Sequence, residues 1–212
     1  MEFTLSRGFL IANVYHFLMI KKDDFHLPSF AKKLKRGGPA TTHPKDAGLV
    51  LAYSGIDKNS RVLELGCGSG YMSVQFGKIA SEVVSYEKRE EFLNLAQENV
   101  KKANLENVKF IFKDVHEGID EIEESFDLVF VDIADAERIV DRAFHLLKKD
   151  GFLVGHCLQM EQAKKLQLEL QKSFTEVWSV ESVIREYEAR EFGFRPKHIG
   201  LIYTAIMVFG RK

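Results

Sequence analysis

The sequence predicts an α/β protein built on a doubly wound, mostly parallel sheet. Strand-like and helix-like segments alternate between residues 61 and 172, which is typical of this class. A glycine-rich turn joins the first of these strands to the helix pattern that follows it. Two long β-rich runs close the chain and predict an antiparallel pair beside the parallel strands. Hydrophobic residues make up 45% of the 212 residues, which argues against a largely disordered chain.

The elements can be assigned in chain order. Residues 1–40 are interpreted as a short β-rich N-terminal extension with its clearest strand at FLIANVYHFLMI, and residues 41–212 as the main domain. HPKDAGLVLAYSG predicts a helix with Pro44 in its first turn and Gly55 as its stop. Strands are predicted at 61–65, 82–87, 108–113, 126–132 and 151–157, and helices at 69–80, 89–104, 135–148 and 159–172. The final β-rich runs are TEVWSVESVIREYEAREF and IGLIYTAIMVFG, separated by an RPKH loop.

The run RVLELGCGSGYMSVQF carries the main functional signal. Its apolar strand leads directly into Gly66, Gly68 and Gly70. Glycines let the backbone turn tightly and approach a ligand, and the helix start offers free N–H groups. The spacing is GxGxG, whereas a dinucleotide fingerprint needs GxGxxG, so the loop suits S-adenosylmethionine (SAM) better. A plain tight turn in an α/β fold is the alternative.

Four carboxylates fall at the C-terminal ends of predicted strands, where ligands collect in open α/β sheets. They are Glu64, Glu87, Asp114 and Asp132. Glu87 follows Gly66 by 21 residues and could accept hydrogen bonds from both ribose hydroxyls of a nucleoside. Its alternative is a solvated charge at a strand end. For Asp114, the alternative to contacting a ligand is to shape the turn before Gly118.

Composition restricts the partners and the compartment. A net charge of −1 does not indicate nucleic-acid binding, although local basic patches can carry that attraction. No apolar run reaches the ~18 residues of a membrane span, and we expect neither a membrane partner nor a signal peptide. The two cysteines belong to no CxxC or histidine-rich cluster, which argues against a metal site and suits a reducing cytoplasm.

The densest basic stretch is AKKLKRGG, residues 31–38. It lies in a predicted loop just before the main domain and is a candidate RNA contact, with a solvated surface as the alternative. Tyr71 and Tyr203 could stack on a base, although aromatic residues at such places are more often core. His116 and His156 also lie near strand ends, and neither is assigned a role.

Several segments in this order resemble class I SAM-dependent methyltransferases: the glycine loop, SYE at 85–87, KDVHEG at 113–118 and VDIAD at 131–135. More narrowly, THPKD, KDVHEG and RPKHIGLIYTAIMVFGRK resemble the tRNA (adenine-N1) methyltransferase family, over most of residues 36–212.

The resemblance implies a Rossmann-like class I methyltransferase sheet with SAM as cofactor and S-adenosylhomocysteine as product. It implies a tRNA partner methylated at adenine N1 in the T loop, and a homotetramer. The implied cofactor-binding residues are Glu64, Gly66, Gly68, Gly70, Glu87, Asp114 and Asp132. Asp132 is also the implied catalytic residue.

The chemistry of adenine N1 agrees with a carboxylate at Asp132. Neutral N1 already carries a lone pair, so no strong base is needed to expose it. A carboxylate that accepts a hydrogen bond from the N6 amino group would orient the ring and stabilise the developing positive charge. Asp132 could otherwise cap the following helix, a role that suits Asp135 better.

Two other functions remain open. The resembled family usually has DxPxPW at its catalytic aspartate, whereas Asp132 is followed by IADAERI. This difference and the near-neutral charge favour an enzyme acting on a small molecule or a protein carboxylate, as protein isoaspartyl methyltransferases do. The third hypothesis is a non-catalytic RNA-binding subunit. The glycine loop, Glu64 and Glu87 argue against it, because a scaffold would not need them.

Overall fold

The computed structural model describes residues 27–38, 41–197 and 203–212. The chain divides into two units after Lys33. In the described part of the first unit the secondary structure is a short helix, α1, Ser29–Lys33. The strand expected at residues 9–20 lies outside the described residues, and the division at residue 40 stays a prediction.

The second unit contains alternating helices and strands. In chain order they are α2 Pro44–Ser54, β1 Arg61–Leu65, α3 Tyr71–Gly77, β2 Glu82–Glu87, α4 Glu90–Lys102, β3 Val108–Phe112, β4 Phe126–Val131, α5 Val140–Leu146, β5 Leu147–Cys157, α6 Met160–Leu170, β6 Glu176–Glu181, β7 Tyr187–Arg190, β8 Gly193–Pro196 and β9 Ile206–Arg211. Short 3₁₀ turns follow β3 and β4, at Val115–Glu117 and Ala136–Ile139. Within the described ranges, no helix has both the length and the apolar character that crossing a bilayer requires.

Seven strands form the main sheet in the order β3-β2-β1-β4-β5-β9-β6. Strands β1 to β5 are parallel, and β9 runs antiparallel to both of its neighbours. The predicted doubly wound sheet with antiparallel C-terminal strands is therefore confirmed. Connections leave β1 and β4 toward opposite sides of the sheet, which opens a crevice between their C-terminal ends.

The two faces of the sheet carry separate hydrophobic cores. Leu63 and Leu65 of β1 pack toward α5 and α6, whereas Val62 packs toward α2 and α3. All three are fully buried, and each such side chain contributes about 1.5–3 kcal/mol by leaving water. The alternation of a strand places Glu64 on the same face as Val62, beneath α3.

Helix α2 begins and ends as its sequence predicts. Pro44 occupies the first turn, and Gly55 ends the helix with a left-handed φ of 63°. The Gly55 amide donates to Leu51 O at 3.2 Å, which satisfies one of the last free carbonyls.

The structure differs from the prediction at the end of the chain. The run over 175–192 holds two strands, β6 and β7, and only β6 joins the main sheet. Arg195 and Pro196 of the expected RPKH loop lie instead in β8, which pairs with β7 as a separate hairpin. The expected antiparallel pair is present as β6 and β9, with Val180 opposite Met207.

The helix expected at 135–148 is also shorter than predicted. Residues 136–139 form a 3₁₀ turn, and α5 ends at Leu146. Strand β5 begins at Leu147, four residues before its predicted start, because Leu147 pairs with Phe126 before a register shift. Asp150 adopts a left-handed φ of 62°, which accommodates the irregular backbone at that point.

Gly66 lies where the ends of β1 and β4 approach each other closely, and its substitution tests this approach. A Cβ at this position would lie 2.4 Å from Asp132 O, and the φ of 90° disfavours any L side chain. Gly66→Ala should lower the free energy of unfolding by at least about 2 kcal/mol in urea denaturation. The matched control is Gly48→Ala in α2, where a Cβ meets nothing within 4 Å. The control should gain roughly 0.5–1 kcal/mol. Equal effects of the two variants would contradict the close approach.

Candidate active site

A cavity opens at the C-terminal edge of the sheet, on the face covered by α2 and α3. Of the predicted site residues, it brings together Glu64, Gly66, Gly68 and Asp132. The others, Gly70, Glu87 and Asp114, do not line it. The remaining wall residues are Thr42, Cys67, Ser69, Tyr71, Met72, Arg89, Phe130, His156 and Leu158.

The glycine loop needs its glycines partly for the protein's own packing. Gly66, Gly68 and Gly70 have φ values of 90°, 50° and 73°, all in the left-handed region. A Cβ on Gly70 would lie 2.7 Å from the Ala96 Cα of α4. Gly70 stands at the start of α3, so its contribution in this structure is to seat that helix against α4.

Glu64 is a buried carboxyl with one oxygen unsatisfied. Its Oε2 accepts hydrogen bonds from Ser73 Oγ and from Ser85 Oγ, the latter at 2.6 Å. Its Oε1 is buried and has no hydrogen-bond partner among the described residues. Burial raises the pKa of Glu64 to about 7, against the opposing effect of the two serine hydrogen bonds. An unsatisfied buried oxygen in a cavity wall suits a ligand that brings a cationic donor, such as an ammonium group.

Glu87 ties the glycine loop to the end of β2. Its Oε2 accepts from Gly68 N at 3.0 Å. Its Oε1 accepts from Lys88 N, from Arg89 N and from Arg89 Nε, at 3.0–3.1 Å. A carboxylate oxygen has two lone pairs, so Oε2 can still accept one hydroxyl donor. Arg89, which donates to Glu87 through its guanidinium, lines the cavity while Glu87 does not, a feature that the sequence did not indicate.

Asp114 has the turn contacts that were its alternative interpretation. Its carboxylate accepts from His116 N at 3.1 Å and from Lys88 Nζ at 3.1 Å. These two hydrogen bonds lower the pKa of Asp114. A cofactor contact by Asp114 stays a prediction.

Asp132 stands directly after β4 and faces the cavity. Its backbone N donates to Leu65 O at 2.9 Å, which holds it level with the glycine loop. Its side chain is 34% exposed, and Oδ1 lies 3.2 Å from His156 Nδ1. The expected capping role of Asp135 is wrong: it precedes the 3₁₀ turn, but its side chain makes no capping hydrogen bond. The loop reaches this turn through Asp135 with a φ of −110° and a ψ of 51°.

Sequence reasoning missed a buried polar cluster beside Asp132. Asp46 is fully buried and accepts from Lys45 Nζ at 2.7 Å and from Thr204 Oγ1 at 2.5 Å. The contact ties the start of α2 to the segment before β9. Two features of the sequence could have indicated this cluster. One is the charged pair Lys45 and Asp46 in the first turn of α2, and the other is His156 at the end of the buried strand β5.

The aromatic candidates occupy different positions. Tyr71 is only 3% exposed and lines the cavity as a packed side chain. The Tyr203 hydroxyl donates to Leu158 O at 2.9 Å, and Leu158 lies at the cavity wall with half its surface exposed. In the part of the chain that the structure describes, no group of three or more His, Cys, Asp or Glu side chains could hold a metal ion.

Comparison with known proteins gives matches to methyltransferases, both in sequence and in structure. A family model described as a methyltransferase domain matches residues 56–198. The tRNA (adenine(57)-N(1)/adenine(58)-N(1))-methyltransferase TrmI of Methanocaldococcus jannaschii is 32% identical, covering 82% of this chain and 73% of its own.

Two solved structures share the fold at a TM-score of 0.80 and 30% identity. The tRNA (m1A58) methyltransferase TrmI of Aquifex aeolicus covers 87% of this chain and 76% of its own. A SAM-dependent O-methyltransferase of Thermotoga maritima covers 87% of this chain and 71% of its own.

The raised pKa of Glu64 predicts how stability depends on pH. Its folded-state pKa of about 7 lies above the ordinary glutamate pKa of 4.5, so the folded state binds this proton more tightly. The unfolding free energy should therefore fall as pH rises from 4.5 through 7, by roughly 3 kcal/mol relative to Glu64→Gln. Urea denaturation across this pH range measures the difference.

The control for Glu64 is Glu106→Gln, at an exposed position before β3. This variant should keep the wild-type slope of stability against pH. A constant difference between the wild type and Glu64→Gln over the whole range would show that Glu64 does not titrate there.

Proposed function

Because this SAM-dependent methyltransferase belongs to the tRNA (adenine-N1) methyltransferase family, we propose that it methylates N1 of an adenine in the T loop of tRNA. The observation that carries the proposal is Asp132, held level with the glycine loop and exposed to the cavity. A carboxylate there can select and orient an adenine through its N6 amino group.

The residues of the cavity fit SAM. Bound SAM supplies an electrophilic methyl group on a positively charged sulfur. Glu64 Oε1, the unsatisfied buried oxygen, would accept from the ammonium group of the cofactor. Glu87 Oε2 keeps one acceptor site for a ribose hydroxyl, provided that the Arg89 side chain makes room. Gly66 and Gly68 form a wall without side chains, which lets the ligand approach the backbone.

Asp132 acts through charge and orientation rather than as a base. Transfer of that methyl group from sulfur to N1 would leave the positive charge on the adenine ring, beside the Asp132 carboxylate. No proton needs to leave. A partly buried carboxylate stabilises that charge more strongly than water-exposed groups do, and its fixed position needs no reorganisation.

The contacts of Lys35 and Asn99 support an RNA-binding surface beside the cavity. Asn99 Nδ2 donates to Lys35 O and to Ser69 O, both at 2.9 Å, which links the backbone at Lys35 to the glycine loop. Lys35 and Arg36 are exposed there. The Lys35 ammonium pairs with Glu98, so a phosphate group would have to replace that carboxylate. The target adenine would leave its stacked loop and enter beside Leu158.

The proposal extends to a cytoplasmic homotetramer that contacts tRNA with more than one subunit. Free Cys67 and Cys157 suit a reducing compartment. The hairpin of β7 and β8 leaves Phe192 94% exposed and Phe194 73% exposed, and such an apolar surface suits a subunit interface.

A second candidate is methylation of a protein carboxylate or a small molecule. Its support is the absence of prolines in the run IADAERI after Asp132, residues 133–139, and the likeness to an O-methyltransferase at the same TM-score of 0.80. The separating experiment is incubation with labelled SAM and either unmodified tRNA or total protein. Label in tRNA supports the first function, and label confined to protein replaces it with the second.

The cofactor site predicts the effect of Glu87→Ala on SAM binding. The lost carboxylate removes an acceptor of the ribose hydroxyl and loosens the loop at Gly68. Hydrogen bonds to a charged group are worth ~1.5–3 kcal/mol, so calorimetry should show binding weakened at least about tenfold. Glu106→Ala, before β3 at the opposite edge of the sheet, should bind as the wild type does. Unchanged affinity in Glu87→Ala would remove Glu87 from the cofactor site.

The catalytic role predicts the effect of Asp132→Asn. The amide keeps the shape but replaces an acceptor-only group with a mixed donor and acceptor. SAM affinity should stay within about twofold, while the methylation rate of tRNA falls by ~10²–10³. The control, Asp135→Asn, changes an exposed aspartate that makes no cap and should keep the wild-type rate. A near wild-type rate in Asp132→Asn would advance the protein or small-molecule function.

A further inference from the structure

The His156 imidazole is buried against the carboxylate that the proposed mechanism uses. Its side chain is 8% exposed and lines the cavity at the end of β5. Nδ1 lies 3.2 Å from Asp132 Oδ1, although the ring is not aligned for a hydrogen bond. A small rotation of the imidazole would align its N–H with this oxygen, which leaves Asp132 Oδ2 for a substrate.

The charges around His156 come from three directions. Asp132 faces it from the end of β4. The ring of Phe130, from the same strand, packs against the imidazole with the two ring centroids 6.3 Å apart. Lys45 and Asp46 approach from α2, but they pair with each other at 2.7 Å, so their charges largely cancel. Glu64 of β1 lies in the wall of the same cavity. Asp132 is therefore the charge that dominates the environment of the imidazole.

We propose that His156 is a positioning residue for Asp132, and that its neutral form is the one that supports methyl transfer. The inference rests on the proposed function. A neutral imidazole holds Oδ1 and leaves the full negative charge of the carboxylate available to the adenine. An imidazolium would cancel that charge just where positive charge develops on the ring. Since N1 methylation releases no proton, His156 has no role as a base.

The direction of the pH effect follows from the surroundings of His156. Burial lowers the pKa of His156, but the adjacent Asp132 carboxylate outweighs it, and the net pKa is raised above 6.5. The imidazole therefore keeps its proton to a higher pH than an ordinary histidine does. Turnover should consequently rise with pH as the imidazole becomes neutral and level off once it has lost its proton.

Glu64, whose pKa burial raises to about 7, lines the same cavity, and its titration must be separated from that of His156. Glu64 contacts the cofactor in the proposed site, so its ionisation should change the KM for SAM. His156 acts through Asp132 on the adenine that receives the methyl group, so its ionisation should change kcat at saturating SAM and tRNA. The variant Glu64→Gln should therefore keep the pH dependence of kcat.

The main experiment measures kcat for tRNA methylation from about pH 6 to about pH 9 in variants of His156. His156→Gln can still donate to Asp132 but cannot titrate. It should show a flat profile within about threefold of the wild-type plateau. His156→Phe cannot donate, and its flat profile should lie at least about tenfold lower with unchanged KM for SAM. His116→Gln, an exposed histidine outside this cavity, should follow the wild type. A wild-type pH profile in His156→Gln would overturn the proposal.

A second measurement does not depend on tRNA. Histidine ring signals in an NMR titration identify His156 by their loss in His156→Gln. In Asp132→Asn the pKa of His156 should fall, because the neighbouring charge is gone. An unchanged pKa would overturn the pairing. If the wild type fails to methylate tRNA while this pKa falls, the substrate assignment fails and the pairing stands.

Discussion

The close approach of β1 and β4 at their C-terminal ends is the constraint on which the site depends. The Asp132 amide donates to Leu65 O, and the backbone carbonyl of Asp132 occupies the space that a side chain on Gly66 would need. One hydrogen bond and one missing Cβ thus place a carboxylate beside the glycine loop. The burial of β1 and β4 from both faces keeps this arrangement rigid, because neither strand can shift without opening a core.

The cavity end of the sheet gathers three carboxyl groups, and each is stabilised differently. Glu64 is fully buried and holds its proton to about pH 7. Glu87 pairs with the Arg89 guanidinium and accepts hydrogen bonds from three backbone amides. Asp132 remains partly exposed and is paired with a buried histidine. This concentration of acceptors would be costly around a neutral ligand. It suits SAM, which carries both an ammonium and a sulfonium group.

Most of the fold could be predicted from local patterns. The alternating strands and helices, the stop at Gly55 and the left-handed glycines depend on residues close together in sequence. The errors came where local propensity was not decisive. The run over 175–192 has strand propensity throughout, yet β6 joins the sheet and β7 turns back on β8. Leu147 follows Leu146 and precedes two lysines, a pattern typical of a helix end, but pairing with Phe126 makes it the start of β5.

The sequence by itself determined the class of fold, the glycine loop and the set of carboxylates at the strand ends. Each of these depends on the identity and spacing of nearby residues. Only the tertiary structure decided which carboxylates share a cavity and which partners they have. His156 meets Asp132 because β5 lies beside β4, and Thr204 meets Asp46 across 158 positions of sequence. Such contacts are fixed by strand order and register, and these result from packing the whole sheet rather than from any one segment.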